Sequence, residues 1–233
     1  SSGPRYAFRD SPLDFYSAIT DLRSDFVIGQ VRDPGPKPKL ENSQPFRFRA
    51  WVFAHGGVVS RFEAIQASIL EHIPDFLRRN IRGQTDSEHV FHLFLAFLHD
   101  AGRLDDPNVR ASDAAGALRQ TVAMLDRLAR AAGGESATMN AVAANGRIFL
   151  ASRRGRPMWL RRTTGLNDCM VCRIADPTAK AGDRRRFAHE HLRAVLIVSE
   201  PGRLGPEGWE ELPNDGILAV SRDLSTSMMP LRD

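Results

Sequence analysis

Cysteine is scarce in this chain: Cys169 and Cys172 are the only two among 233 residues. That is too few for a disulfide-stapled secreted fold, so a reducing compartment and a cytoplasmic location are expected. Apolar runs are short as well. None approaches the roughly 20 residues that cross a bilayer, and no signal peptide is visible at the start, so no membrane association is expected. Internal repeats and low-complexity tracts are lacking. The formal net charge is only +4, and much of the positive charge sits in the clusters Arg153-Arg154, Arg161-Arg162 and Arg184-Arg185-Arg186. No aromatic residues interleave with these clusters and no binding motif accompanies them. They read as solvated surface, and nucleic acid is not an expected partner.

With 42% hydrophobic residues, the chain can bury one substantial core. Residues 1–10 are expected to form a disordered leader and residues 11–233 a single domain. Ser11-Pro12 caps a helix reaching about Arg23, Phe26 to Val31 forms a strand with Arg32 at its end, and the alternating prolines of 33–39 enforce a loop. Arg61 to Arg79 is predicted helical with a break near Pro74. Apolar residues at helical spacing predict helices from Asp86 to Ala101 and from about Ser112 to Ala132, ended by Gly102 and Gly133-Gly134. Thr138–Ala144 and Arg147–Ser152 are strands joined by Asn145-Gly146, a strong hairpin signal. Ala194–Ser199 and Ile217–Val220 complete the strands. The order suits an α+β domain with helices covering sheets.

The stretch from Glu41 to Glu88 concentrates the residues that composition alone would not place together. Trp51 to Ala54 reads as a buried strand, and His55-Gly56-Gly57 as a turn in which two residues without Cβ let the backbone bend or approach a ligand. Thr85-x-x-Glu88 is a capping box, putting Asp86 in the first helical turn, where the helix dipole favours a carboxylate.

Four segments in this order resemble the class II glutamine amidotransferases: Gln30-Val31-Arg32, Asn42-Ser43-Gln44-Pro45-Phe46, Phe53-Ala54-His55-Gly56-Gly57 and Thr85-Asp86-Ser87-Glu88. The resemblance implies an αββα sandwich of the N-terminal-nucleophile hydrolase type, here expected to lack its first strands. It also implies hydrolysis of the γ-amide of glutamine or of a γ-glutamyl compound, with no cofactor. In that family an N-terminal cysteine is the nucleophile. Residue 1 here is Ser1, expected to be a leader residue, so no catalytic nucleophile is assigned. The oxyanion-hole positions implied are Gly56 and Gly57, and the substrate-binding positions Arg32, for the α-carboxylate, and Asp86, for the α-ammonium. Gly56 departs from the family pattern, which has an asparagine there; losing one such donor typically costs about 2.7–4 kcal/mol of transition-state stabilisation.

Weaker likeness continues to the C-terminus, and the stand-alone members, including the γ-glutamyl hydrolase of ergothioneine biosynthesis, match best. Two readings of function stand beside each other: an amidohydrolase, incomplete or inactive as given, and a degenerate homologue serving as a non-catalytic binding or regulatory subunit. A protein partner or a homo-oligomer is compatible with either.

Cys169-x-x-Cys172 with His189 and His191 could fill a tetrahedral zinc site, but His-x-His is tighter than the usual spacing. Ordinary cysteines are the simpler reading, and no metal site is assigned. His89, His92 and His99 share helical spacing without recurring acidic partners, and are expected to be satisfied or exposed. Glu200-Pro201 is read as structural.

Overall fold

The structure, a computed structural model, describes residues 24–30, 40–165, 189–201 and 207–232. It divides into two compact units: Asp25–Pro157 with residues 212–232, and the described part of Met158–Glu211.

The first unit is built on an antiparallel sheet of six strands in the order β1-β2-β3-β4-β8-β9. These are β1 (Phe46–Phe48), β2 (Trp51–Gly56), β3 (Asn140–Ala144), β4 (Ile148–Arg153), β8 (Gly216–Ser221) and β9 (Thr226–Pro230). One helix pair covers a face of it, α3 (Asp86–Asp100) and α4 (Ala111–Ala131), preceded by α1 (Phe62–Glu71) and the short α2 (Asp75–Arg78). Trp51, Phe53, Ala143, Leu150 and Ile217 meet Phe91, Phe94 and Leu98 of α3 and Leu118, Val122 and Leu125 of α4 in one core. Aromatic rings fix the register of that packing. Trp51 meets Phe94 edge-on at 5.3 Å between centroids and Phe53 stacks on Phe91 at 5.3 Å, while the Trp51 indole donates to the Leu104 carbonyl at 3.2 Å. Beside α4, Arg154 and Asp126 form a buried two-pronged ion pair at 3.1 and 2.7 Å.

The helix boundaries follow the sequence signals. Thr85 accepts the Glu88 N–H at 3.3 Å and opens α3, and Gly102 and Gly133, at φ +66 and +71, end α3 and α4 in the left-handed conformation that glycine adopts without strain. The expected break around Pro74 separates α1 from α2. Asn145 accepts the N–H groups of Arg147 and Ile148, both at 3.1 Å, and closes the β3–β4 hairpin.

The second unit holds a three-stranded antiparallel sheet in the order β6-β5-β7, from β5 (Trp159–Thr164), β6 (Arg193–Val198) and β7 (Glu210–Glu211). The α+β class with antiparallel sheets is therefore the one expected.

One expected strand is not formed. Phe26 to Gln30 has no strand pairing: β3 holds one edge of β2, β1 holds the other from Trp51 to Phe53, and the Gln44 and Gln30 side chains occupy that edge at His55. The segment instead stacks the Phe26 ring on Phe149 of β4, at 6.2 Å and 3°, and hydrogen-bonds Gln30 to His55. Strands β1, β5, β7 and β9 were not foreseen. In β5 there is no alternation to read, since Leu160 is buried while Arg162, two residues on and on the same face, is exposed and reaches Glu210 at 3.1 Å; in β9, Pro230 is tolerated because the strand is an edge. The leader, the first helix, Arg32, the 33–39 loop, Cys169 and Cys172 lie outside the described residues.

Candidate functional site

Strand β2 ends where three backbone segments converge, and side-chain amides replace strand partners at that point. The Gln44 side chain accepts the His55 N–H at 2.5 Å and donates to the His55 carbonyl at 3.0 Å, imitating a bridge of an antiparallel ladder. Gln30 adds a second donor to that carbonyl at 3.2 Å. Beyond Gly56 the chain is strapped to Thr138: Val58 N–H donates to its hydroxyl at 2.8 Å and Thr138 N–H returns to the Val58 carbonyl at 3.1 Å.

The expected turn at His55-Gly56-Gly57 begins only at Gly57, because His55 and Gly56 still pair with Ala141 and Asn140 in the sheet. The two glycines differ physically. A Cβ on Gly57 would lie 2.2 Å from the Thr138 carbonyl oxygen and 2.4 Å from His55 Nε2, whereas one on Gly56 would meet nothing closer than the Asn140 carbonyl at 3.7 Å. Position 57 therefore requires glycine and position 56 does not. Among the described residues the Gly57 N–H meets no acceptor. Asn140, opposite Gly56 across the ladder, does not stand in for the asparagine amide that Gly56 lacks. Its NH2 group is held by the carbonyls of Arg156 and Pro157 at 2.8 and 3.4 Å.

The start of α3 forms the other wall. Asp86 Oδ2 accepts the Val59 N–H at 3.0 Å and Oδ1 accepts the Ser87 N–H at 2.7 Å. The Ser87 hydroxyl also stands 3.2 Å from Oδ1; a carboxylate offers about four lone-pair positions, so Asp86 retains capacity for one further donor. The capping box is only half realised. Glu88 does not return to Thr85; its buried carboxylate takes the N–H groups of Arg82 and Gly83 at 3.0 and 2.6 Å. Asn42 accepts the Gln84 N–H at 3.1 Å, which ties the Asn-x-x-Pro-Phe segment to the approach of α3. Glu41, Asn42, Arg82, Gly83 and Gln84 line an open cavity of about 380 Å³ there.

His55 lies beneath the turn, 2% exposed. Its Nδ1 is 3.0 Å from Ser87 Oγ and its Nε2 is 3.1 Å from the Thr138 carbonyl. Burial lowers its pKa from 6.5, opposed by the hydrogen bond to Thr138 and the charge of Asp86. His89 and His92 are buried and bonded to the carbonyls of Thr85 and Glu88, both at 2.9 Å, and His99 is half-exposed beside Asp100. Among the described residues no group of three His, Cys, Asp or Glu side chains could hold a metal ion.

Gly56, Gly57 and Asp86 are thus brought to one end of the sheet. Sequence reasoning assigned no role to His55, Ser87, Gln44 or Thr138. The first three lie inside the recognised motifs, so their proximity was available as a signal; Thr138 was legible only through strand pairing.

Comparison with known proteins gives the family. The chain matches the family of class-II glutamine amidotransferases over residues 10–230. It belongs to that family. A probable glutamine amidotransferase of Saccharomyces cerevisiae, DUG3, is 37% identical over 92 residues, 39% of this chain. That match spans a quarter of the yeast protein's length, 25%. Among solved structures, a glutamine aminotransferase class-II domain protein from Silicibacter pomeroyi superposes with a TM-score of 0.59 at 23% identity, covering 82% of this chain and 72% of that one. A predicted glutamine amidotransferase from Pseudomonas aeruginosa gives 0.50 at 20% identity, covering 77% and 62%. These likenesses establish the fold. No helix among the described residues is long and apolar enough to cross a membrane.

Proposed function

We propose that this domain binds the amino-acid head group of glutamine or of a γ-glutamyl compound, with Asp86 receiving the α-ammonium and the Gly57 N–H facing the γ-carbonyl. The observation that carries the reading is the spare capacity of the Asp86 carboxylate beside a turn whose glycine cannot be replaced. Opposite charges grip a zwitterion at both ends, and Arg32 is the proposed partner for the α-carboxylate. Family membership supports a glutamine-type substrate.

Hydrolysis by this domain is proposed to be weak. Gly57 can offer a backbone donor to a developing oxyanion, but Gly56 offers no side-chain donor, a deficit of roughly a hundredfold to a thousandfold in rate. That same observation favours a second reading, a binding or regulatory subunit that keeps the head-group site.

Calorimetry with glutamine, glutamate and a γ-glutamyl dipeptide tests the proposal. Binding of glutamine and the dipeptide, weakened by Asp86→Asn, is expected. If no ligand binds at millimolar concentration, the head-group site does not exist. Ammonia release from glutamine then separates the readings: a rate raised by Gly56→Asn supports the hydrolase, and saturable binding without turnover supports the binding subunit.

A further inference from the structure

We propose that Ser87 and His55 are positioning residues for Asp86, forming a two-state hydrogen-bond relay in which protonation of His55 turns the Ser87 hydroxyl onto the Asp86 carboxylate.

Thr138 O, 3.1 Å from His55 Nε2, can only accept, so Nε2 carries a proton whether the ring is neutral or charged. In the neutral ring Nδ1 is then an acceptor, and Ser87 Oγ, at 3.0 Å, is the hydroxyl placed to donate to it. Ser87 has one hydroxyl proton. That proton has two acceptors within reach, Nδ1 at 3.0 Å and Asp86 Oδ1 at 3.2 Å, where the Ser87 N–H also donates; while the ring is neutral, Nδ1 competes with the carboxylate for it. When the ring is protonated, Nδ1 becomes a donor to Oγ and the hydroxyl proton is released to Asp86 Oδ1. Asp86 gains a hydrogen bond and a nearby positive charge, and its affinity for a ligand ammonium falls.

The surroundings permit this. Among the described groups, Asp86 on α3 is the charged side chain that acts on the ring electrostatically. The segment entering β3 contributes the uncharged Thr138 carbonyl, and the Gln44 and Gln30 amides engage the His55 backbone rather than its ring. Burial keeps the ring neutral at physiological pH, the state in which Asp86 is open. By linkage, an ammonium bound at Asp86 holds the ring neutral to still lower pH.

The consequence for binding rests on the reading of Asp86 as the ammonium anchor; the relay itself does not. Both are separable in one experiment. The isotopically labelled chain and its Ser87→Ala and Ser87→Thr variants are titrated from pH 8 downward by NMR, following the His55 ring nitrogens and the Asp86 carboxyl carbon, with and without glutamine. Expected without ligand are the Nε2–H tautomer at high pH and an Asp86 signal that steps with His55 protonation in the wild type and Ser87→Thr but not in Ser87→Ala. Expected with ligand is an affinity about tenfold weaker once the ring is charged, the effect of one charge-assisted hydrogen bond. An Nδ1–H tautomer, a ring that stays neutral down to acid unfolding, or an Asp86 step that survives in Ser87→Ala would overturn the relay. An intact relay with no glutamine binding at pH 8 would support the relay and overturn the anchor reading instead.

Discussion

Asp86 Oδ2 accepts the N–H of Val59 at 3.0 Å across 27 residues of sequence, so the first turn of α3 is pinned to the turn that follows β2. The carboxylate is both a structural clasp and the proposed ligand anchor, and two substitutions separate the roles. Asp86→Asn keeps an oxygen for Val59 while removing the charge, at the cost of turning an NH2 group toward the Ser87 N–H; glutamine affinity is expected to fall at least about tenfold, with a smaller loss of stability than in Asp86→Ala. Asp86→Ala also leaves the Val59 N–H without its partner and is expected to lose about 1–3 kcal/mol of stability in urea unfolding.

The two glycines of the turn should respond in opposite ways to the same change. Gly57→Ala pushes a methyl group into the Thr138 carbonyl and the His55 ring and is expected to destabilise by about 1–3 kcal/mol, as overpacking does. Gly56→Ala has only the Asn140 carbonyl at 3.7 Å to meet and is expected to stay within about 0.5 kcal/mol of wild type. Urea unfolding of the pair measures both.

Arg154 and Asp126 are both nearly inaccessible, 4% and 5% exposed. Removing the guanidinium by Arg154→Ala strands a buried carboxylate, and breaking such a pair costs about 3–5 kcal/mol. Arg232 and Arg130, at 3.6 and 3.9 Å from Asp126, soften the loss, so an effect near the lower limit is expected in thermal or urea unfolding.

His55 and His92 both have pKa values lowered from 6.5, burial being the largest cause in each. The unfolded chain therefore binds more protons than the folded one just below pH 6.5. Their contribution to stability is full above that pH and is lost as pH falls toward the folded values, by up to about 1.4 kcal/mol per pH unit per histidine. Urea unfolding between pH 7.5 and 5 should show this slope, and His92→Phe should make it shallower.

Much of this architecture was legible in the chain because local and global signals agree. The α3 and α4 helices carry long apolar stripes with glycine stops, and Asn145-Gly146 dictates a hairpin. Strand β5 was hidden because its buried Leu160 sits beside two arginines, and β1 because three residues after a proline carry no periodicity. Asp86 and Gly57 could be nominated from their motifs. What Glu88 does could not, since its partners are backbone N–H groups of a loop, a contact that depends on how the chain approaches the helix rather than on residue type. The role of Thr138 depends on pairing between β2 and β3, more than 80 residues apart in sequence.

The most direct test of the central claim is a crystal structure of the domain with glutamine bound. The ligand ammonium is expected within hydrogen-bonding distance of an Asp86 oxygen, about 2.7–3.0 Å, with the γ-carbonyl oxygen at a similar distance from the Gly57 N–H. Glutamine found away from this turn, or an Asp86 that touches only Val59 and Ser87 while the ligand is bound elsewhere, would contradict it.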